Sequence, residues 1–184
     1  MKISVFLAAT IAGATYAATA SAQDMDQRST IYVQAAHGDH RSYAVVVGMT
    51  RAWNSPAWKL GSGHVRGHWD LWLGGWSNQD VRGDRFNTPT LGIGPNLRWR
   101  TAQGTSPWFL EAGVAAMVTG KRLYGGDERM GTRFNFASHL GLGMNLGAHQ
   151  AHELSLRLQH ISNAGIKQPN PGLNSVLLRY AYAF

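Results

Sequence analysis

The stretch QHISNAGIKQPNPGLN, residues 159–174, contains two side chains whose types and spacing suggest chemistry. His160 and Ser162 stand two positions apart, and in an extended strand such residues point to the same face, about 7 Å apart along the backbone. A serine hydroxyl becomes a nucleophile when a neighbouring base takes its proton, and imidazole is such a base. The pair therefore suits acyl transfer to and from serine.

The residues before this pair place it on an apolar face. In ELSLRLQH, residues 153–160, every second residue up to the histidine is leucine, and the residues between are polar or charged. His160 and Ser162 continue the leucine side, opposite Glu153 and Arg157. A polar group on an apolar face needs an explanation, because leaving it without a partner costs free energy.

Alternation with a period of two recurs along the chain and predicts an all-β fold. Several of the alternating segments exceed the usual length of a strand in a globular protein. Most have one apolar face and one face of polar or small residues. The segments are 29–37, 42–53, 63–76, 88–102, 106–118, 133–147, 152–163 and 174–184.

The polar faces distinguish between two architectures. A soluble sandwich or barrel turns its apolar faces toward a shared core, whereas a membrane barrel turns them toward lipid. Here glycine and alanine alternate with charges of both signs, as a narrow lumen requires. The charged residues are Arg66, Asp70, Arg98, Arg100, Glu111, Glu153, Arg157 and Arg179. We predict an eight-stranded antiparallel transmembrane β-barrel of the outer membrane, with a soluble barrel as the alternative.

This topology also predicts where the connections and aromatic residues lie. The long polar connections 77–87 and 119–132 belong on the outer side, and the short ones, 103–105 and 148–151, on the periplasmic side. The seventh strand then carries its histidine and serine at the depth of the outer leaflet, where a strand end in the headgroup region also tolerates polar residues. Aromatic residues expected at the membrane interfaces are Trp53, Trp76, Trp99, Trp108, Tyr180 and Tyr182.

The amino-terminal residues predict export. A basic start at Lys2 precedes a mostly apolar or small stretch, and Ala20-Ser21-Ala22 fits a cleavage site. We expect residues 1–22 to be a signal peptide and residues 23–184 to form one barrel domain. The chain has no cysteine, which excludes a disulfide framework, and its formal net charge is +7.

The segment after the serine resembles a known family. HISNAGIKQPNPGLN, running directly into the final strand, is similar to the signature of the lipid A 3-O-deacylase family, the PagL-type outer-membrane esterases. PWFLEAGVAA, residues 107–116, resembles the fifth strand of that family. The resemblance implies a serine esterase that removes the 3-linked hydroxyacyl chain from lipid A, with lipid A and membrane lipids as its partners.

Site roles follow from the same resemblance. It implies Ser162 as nucleophile, His160 as base, and the backbone N–H groups of Asn163 and Gly165 as the oxyanion hole. The family has a glutamate to orient the histidine, and its position is occupied here by Asn174. An asparagine oxygen also accepts a hydrogen bond from imidazole, as in Cys-His-Asn arrangements. We therefore expect a Ser-His-Asn triad.

Other functions are weaker alternatives. A metal site using His64, His68 and His139 competes with the simpler expectation that these side chains line the lumen, and we expect no metal and no cofactor. Nucleic acid is not an expected partner of an outer-membrane barrel, and a homodimer is left open. Glu111 and Asp70 are expected to form structural ion pairs rather than act as acids.

The sequence leaves two alternatives, one for the function of the barrel and one for the cations of its outer connections. A non-enzymatic barrel, structural or adhesive, is the alternative to the esterase. Cationic side chains of the outer connections either bind lipid A phosphates or form a solvated surface. These cations are Arg82, Arg85, Lys121, Arg122, Arg129 and Lys167.

Overall fold

The computed structural model describes residues 25–184, and the predicted signal peptide lies outside them. Eight long strands make up most of this part of the chain. They are β1 (Thr30–Gly38), β2 (Ser42–Ala52), β3 (Gly63–Gln79), β4 (Arg85–Arg100), β5 (Trp108–Thr119), β6 (Phe134–Leu146), β7 (His152–Ser162) and β8 (Leu173–Ala183). Short 3-10 turns occur at Met25–Gln27, Ala102–Gly104 and Ala148–Gln150, and short strands at Trp58–Leu60, Tyr124–Gly125 and Glu128–Arg129.

The long strands form a closed antiparallel barrel. Strands adjacent in sequence pair with each other, including β2 with β3, and the pairing of β1 with β8 closes the barrel. Each strand of the described wall thus has a neighbour on both sides, which satisfies the backbone hydrogen bonds that lipid would leave unpaired. The predicted all-β, eight-stranded closed barrel is confirmed.

The two faces of the wall have opposite character. In β7 the three leucines within 154–158 are exposed, whereas Glu153 and Arg157 are buried. The strict alternation of buried and exposed residues in β1 and β8 has the same sense. An outer surface this apolar would associate in water, so its natural contact is lipid. Exposed apolar side chains of the wall include Ile31, Val45, Val47, Leu73, Leu91, Ile93, Leu140 and Leu178.

Charged side chains fill the lumen as an ion-pair network. Arg98 donates to both carboxylate oxygens of Glu153, at 3.0 and 3.1 Å, and Arg157 donates to Glu111 at 2.6 Å. Arg179 donates to Asp70 at 2.9 Å, and all these side chains are buried. The predicted structural role of Glu111 is therefore confirmed. Buried charges need such partners because desolvation is costly.

An apolar cluster closes the lumen at its outer end. Leu123 and Met130 from the β5–β6 connection pack inside the wall, where they are fully buried. Ile161 of β7 and Leu173 of β8 belong to the same cluster and are also fully buried. The outer connection is thus anchored between the ends of the two last strands.

Two expectations about the outer side need correction. The connection predicted at 77–87 is short, because β3 and β4 continue to the pair Gln79 and Arg85, and Asp80 closes the turn by accepting the N–H groups of Arg82 and Asp84. The expected interfacial position of Trp76 is wrong as well. Its side chain is buried in the apolar cluster, since even-numbered residues of β3 face inward.

The remaining interfacial aromatics lie on the outside or at the ends of the wall. Trp108, Tyr180 and Tyr182 are exposed, and Trp53 contacts neighbouring tryptophans at the periplasmic end, its ring tilted by 51° and 5.8 Å from that of Trp69. Within residues 25–184, no helix is long and apolar enough to cross a membrane.

The lumen network predicts a large cost for removing one charge. Glu111→Gln leaves Arg157 and Arg98 buried without their shared carboxylate, which should lower the free energy of unfolding by about 3 kcal/mol. Urea titration of the detergent-refolded barrel, followed by tryptophan fluorescence, measures this loss. The control is Glu128→Gln, which neutralises an exposed carboxylate in the outer connection. Equal midpoints for the two variants would contradict the structural role of Glu111.

Candidate active site

The ends of β7 and β8 bring the predicted base and its orienting residue together. His160 and Asn174 are directly opposite each other in the strand register, and both point outward. His160 Nδ1 donates to Asn174 Oδ1 at 2.8 Å. The carbonyl oxygen of an amide only accepts, so this bond places the proton on Nδ1 and leaves Nε2 as the basic nitrogen.

Neighbouring residues fix the direction of these side chains. Ile161 and Leu173 flank the site along the two strands and are fully buried in the apolar cluster of the lumen. Because side chains alternate along a strand, anchoring these two inward holds His160, Ser162 and Asn174 on the outward face. The site is thus positioned by packing on the opposite side of the wall.

Gly172 lies against the histidine ring. It has a φ of +76°, and a Cβ atom at this position would lie 2.8 Å from Cε1 of His160. The left-handed conformation and the close approach both favour glycine. Gly172 therefore ends the pairing of β8 and forms one wall of the imidazole site.

Ser162 is the last residue of β7 and is half-buried. It faces outward like His160 and is paired with Phe136 of β6. In the part of the chain that the structure describes, no hydrogen bond joins its hydroxyl to the imidazole. Such contacts are often long in enzymes without substrate and tighten when it binds.

The connection after the serine is held by its own asparagines. The N–H of Asn163 donates to Asn170 Oδ1 at 2.9 Å, and the N–H of Gly165 donates to Asn163 Oδ1 at 3.0 Å. The Asn163 side chain also donates to the carbonyl of Lys167 at 2.6 Å. Both predicted oxyanion donors thus have acceptors within the loop, which an oxyanion would have to displace.

A groove of about 820 Å³ lies on the outer wall beside His160 and Asn174. Its lower part is apolar and its upper part is polar, as expected for the boundary between acyl chains and headgroups. The apolar side chains are Leu140, Leu158 and Val176, and the polar ones at the top include Asp39, His40 and Arg41.

Asp39 reaches the site from the turn between β1 and β2. Its Oδ2 accepts the Nδ2 amide of Asn174 at 3.1 Å and the backbone N–H of the same residue at 3.2 Å. The local sequence pattern does not point to Asp39, because this residue is 135 positions from its partner. The expected closure of the barrel makes β1 a neighbour of β8, and this was the feature that could have placed the β1–β2 turn beside Asn174.

Other predicted site residues lie elsewhere. His68 and His139 face the lumen, where their Nε2 atoms bond the Asp26 carbonyl at 2.9 Å and Asn96 Oδ1 at 3.1 Å. No group of three or more His, Cys, Asp or Glu side chains among residues 25–184 is arranged to hold a metal ion. Lys167 is exposed, and with Arg133 it lines a second groove on the far side of the serine loop.

The family of the chain follows from its sequence. A family model described as lipid A 3-O-deacylase (PagL) matches residues 42–183, which include His160, Ser162 and Asn174. The chain belongs to the lipid A 3-O-deacylase family.

Two curated relatives agree with this membership. The chain is 42% identical to the lipid A deacylase PagL of Bordetella bronchiseptica over 90 residues, 49% of this chain and 47% of that protein. It is 30% identical to the lipid A deacylase PagL of Pseudomonas aeruginosa over 135 residues, 73% of this chain and 74% of that protein. The match thus spans about half the length of the Bordetella relative.

The structural comparison concerns the fold. A crystal structure of the outer membrane enzyme PagL superposes with a TM-score of 0.71, covering 84% of this chain and 99% of that one at 23% identity. Together with the family match, this confirms the predicted outer-membrane barrel.

Membership in the lipid A 3-O-deacylase family gives meaning to the departure at position 174. From the family resemblance, a glutamate is expected at position 174. The asparagine that stands there still makes the hydrogen bond to the imidazole, at 2.8 Å. An amide supplies the hydrogen bond but not the negative charge. In this chain the nearest carboxylate on the far side of the amide is that of Asp39.

Gly172 provides a test of the imidazole position. Gly172→Ala adds a methyl group against the His160 ring and should lower turnover by about 100-fold, because small displacements of a catalytic group are costly. Deacylation in detergent measures the effect. The control is Gly61→Ala, which also places alanine at a positive φ but has nothing within 4 Å. If the two variants are equally active, Gly172 does not position the ring.

Proposed function

We propose that this protein is a serine esterase of the outer membrane that hydrolyses the ester-linked 3-hydroxyacyl chain at position 3 of lipid A. The observation that carries the proposal is the hydrogen bond between His160 Nδ1 and Asn174 Oδ1. The bond lies on the outward wall, two residues before a serine on the same face. A non-enzymatic barrel has no need of an imidazole held in one tautomer.

The proposed mechanism is acyl transfer through serine. Ser162 Oγ attacks the ester carbonyl carbon while His160 Nε2 takes its proton, and a tetrahedral intermediate forms. Collapse of this intermediate breaks the bond to the sugar oxygen, which takes the proton back from the imidazolium. Water then attacks the acyl-serine with the same base, releasing a 3-hydroxy fatty acid and restoring the serine.

The roles of the other residues follow from this sequence of steps. Asn174 holds the imidazole with Nδ1–H toward itself, so that Nε2 remains available as base. The N–H groups of Asn163 and Gly165 are proposed to exchange their loop acceptors for the oxyanion as its charge develops. That exchange leaves the two loop bonds unmade only while the intermediate exists.

The position of the groove supports a substrate that stays in the membrane. Leu158 and Val176 line its lower part, at the level of acyl chains, and the histidine stands where the chains meet the headgroup. Lipid A would approach laterally from the outer leaflet. Arg41 at the top of the groove, together with the cations predicted from the sequence, Lys167 among them, is proposed to meet its phosphates. A homodimer is not part of this proposal.

Removal of the nucleophile or the base tests the proposal. Ser162→Ala and His160→Asn should each lower release of the 3-hydroxy fatty acid by at least about 1000-fold, because the covalent route is lost. Mass spectrometry of lipid A from cells expressing each variant shows whether the 3-hydroxyacyl chain has been removed, as with the parent protein, or is retained. Ser77→Ala, on β3 and away from β7, is the control and should retain activity.

Folding is checked independently in each variant. Heat-modifiable migration on gels shows whether the closed barrel is present. Full deacylation by a folded Ser162→Ala protein would refute the assignment of the nucleophile.

A further inference from the structure

The turn between β1 and β2 holds a carboxylate behind the proposed triad. Asp39 and Asn174 are joined by three hydrogen bonds. Two run from the backbone and side-chain nitrogens of Asn174 to Asp39 Oδ2, at 3.2 and 3.1 Å, and one runs from the N–H of Asp39 to the carbonyl of Asn174 at 2.8 Å. The turn and the start of β8 are thus joined through both backbone and side chain.

We infer that Asp39 is a positioning residue of the deacylase, which orients the Asn174 amide and supplies the negative charge that an asparagine lacks. The inference rests on the proposed function and deepens it. A row of four groups results: Ser162, His160, Asn174 and Asp39. The carboxylate of Asp39 does not contact the imidazole directly, as the glutamate expected from the family resemblance would, because Asn174 lies between them.

The amide of Asn174 can be held in either of two orientations. An asparagine side chain presents either its oxygen or its nitrogen to a neighbour, and the two differ little in shape. An ionised carboxylate only accepts hydrogen bonds, so Asp39 selects the orientation in which Nδ2 faces it. Oδ1 then faces the imidazole, and only the tautomer with a proton on Nδ1 forms the bond seen at 2.8 Å.

The opposite orientation would be harmful. If the amide turned, its NH₂ group would face Nδ1 and stabilise the tautomer that carries the proton on Nε2. The imidazole could then no longer accept the proton from Ser162. A triad with asparagine in place of a carboxylate therefore needs something to fix the amide, and Asp39 is the group within hydrogen-bond distance of it.

The backbone is built to hold Asp39 in this position. Gly38 is paired with Ser175, and a Cβ atom on the glycine would lie 3.1 Å from the carbonyl oxygen of Asn174. His40 and Arg41 both have positive φ, 54° and 56°, and the N–H of Ser42 donates to the carbonyl of Asp39 at 3.1 Å, which closes the turn between β1 and β2. The close approach of β1 to β8 and the tight turn together leave Asp39 facing Asn174.

The expected contribution is moderate because the site is exposed. Asp39, Asn174 and His160 are all accessible at the outer rim, and solvent screens a charge there. A hydrogen bond to a charged group supports an effect of about tenfold on turnover. The effect should fall mainly on kcat, since Asp39 acts on the base through its contact with Asn174.

The test is a cycle of substitutions at positions 39 and 174. Four proteins are compared for kcat and KM on purified lipid A in detergent: the parent, Asp39→Asn, Asn174→Glu and the double variant. In the parent background, Asp39→Asn should lower kcat about tenfold with little change in KM. In the Asn174→Glu background it should not lower kcat, because the glutamate bonds the imidazole directly and Asp39 is then an unfavourable like charge.

Two outcomes overturn the inference. An equal loss in both backgrounds means that Asp39 only maintains the turn, and no loss in the parent background means that the amide is fixed by another group. The matched control is Asp80→Asn, which changes a turn carboxylate that also accepts backbone N–H groups but lies between β3 and β4. It should leave kcat unchanged.

A second measurement separates this inference from the proposed function. The ¹⁵N chemical shifts of the His160 ring, assigned by comparison with His160→Asn, report which nitrogen carries the proton and need no substrate. The parent should show the Nδ1–H tautomer and Asp39→Asn a mixture. If Ser162→Ala deacylates like the parent but the tautomer shifts as expected, the proposed function fails while the role of Asp39 stands. An unchanged tautomer in Asp39→Asn refutes that role whatever the activity.

Discussion

In a bilayer, every backbone N–H and C=O of the wall has to find its partner within the protein, and the pairing of the first strand, β1, with the last, β8, completes that set. Closure also removes freedom from the side chains. Once the sheet is a cylinder, the alternation along each strand assigns every residue either to lipid or to a lumen of limited volume. Glycines such as Gly141 and Gly143 then make room for Arg157 and Phe109, and the large charged side chains interleave with them.

The lumen combines two kinds of packing, and each has a separate consequence. Ion pairs around Arg98, Arg157 and Asp70 fill the middle of the barrel with charges that compensate one another. At the outer end, an apolar cluster that includes Leu123 and Ile161 ties the β5–β6 connection to the ends of β7 and β8. The wall that carries the site is therefore packed from the lumen side, although the residues of the site lie at its outer end.

Placing the site on the outside of the wall sets it apart from enzymes with an enclosed pocket. The imidazole is oriented by an amide, and the amide is held by the turn of a neighbouring strand. In the proposed reaction, a substrate embedded in the leaflet would approach these side chains from the side, along a groove whose apolar part includes Leu158. Ser162 is the last residue of β7, so the proposed reaction would take place at the outer end of the wall.

The sequence by itself determined most of the architecture, because the alternation with a period of two and the apolar or polar character of each strand face are local properties. It specified the eight strands, their outward faces and the resemblance at HISNAG, and it pointed to Asn174 as the partner of His160. It misplaced Trp76 and overestimated the connection at 77–87, since long strands extending beyond the membrane alternate less clearly. Only the tertiary structure brought the β1–β2 turn to the site. Asp39 and Asn174 are separated by 135 residues, and barrel closure alone makes them neighbours.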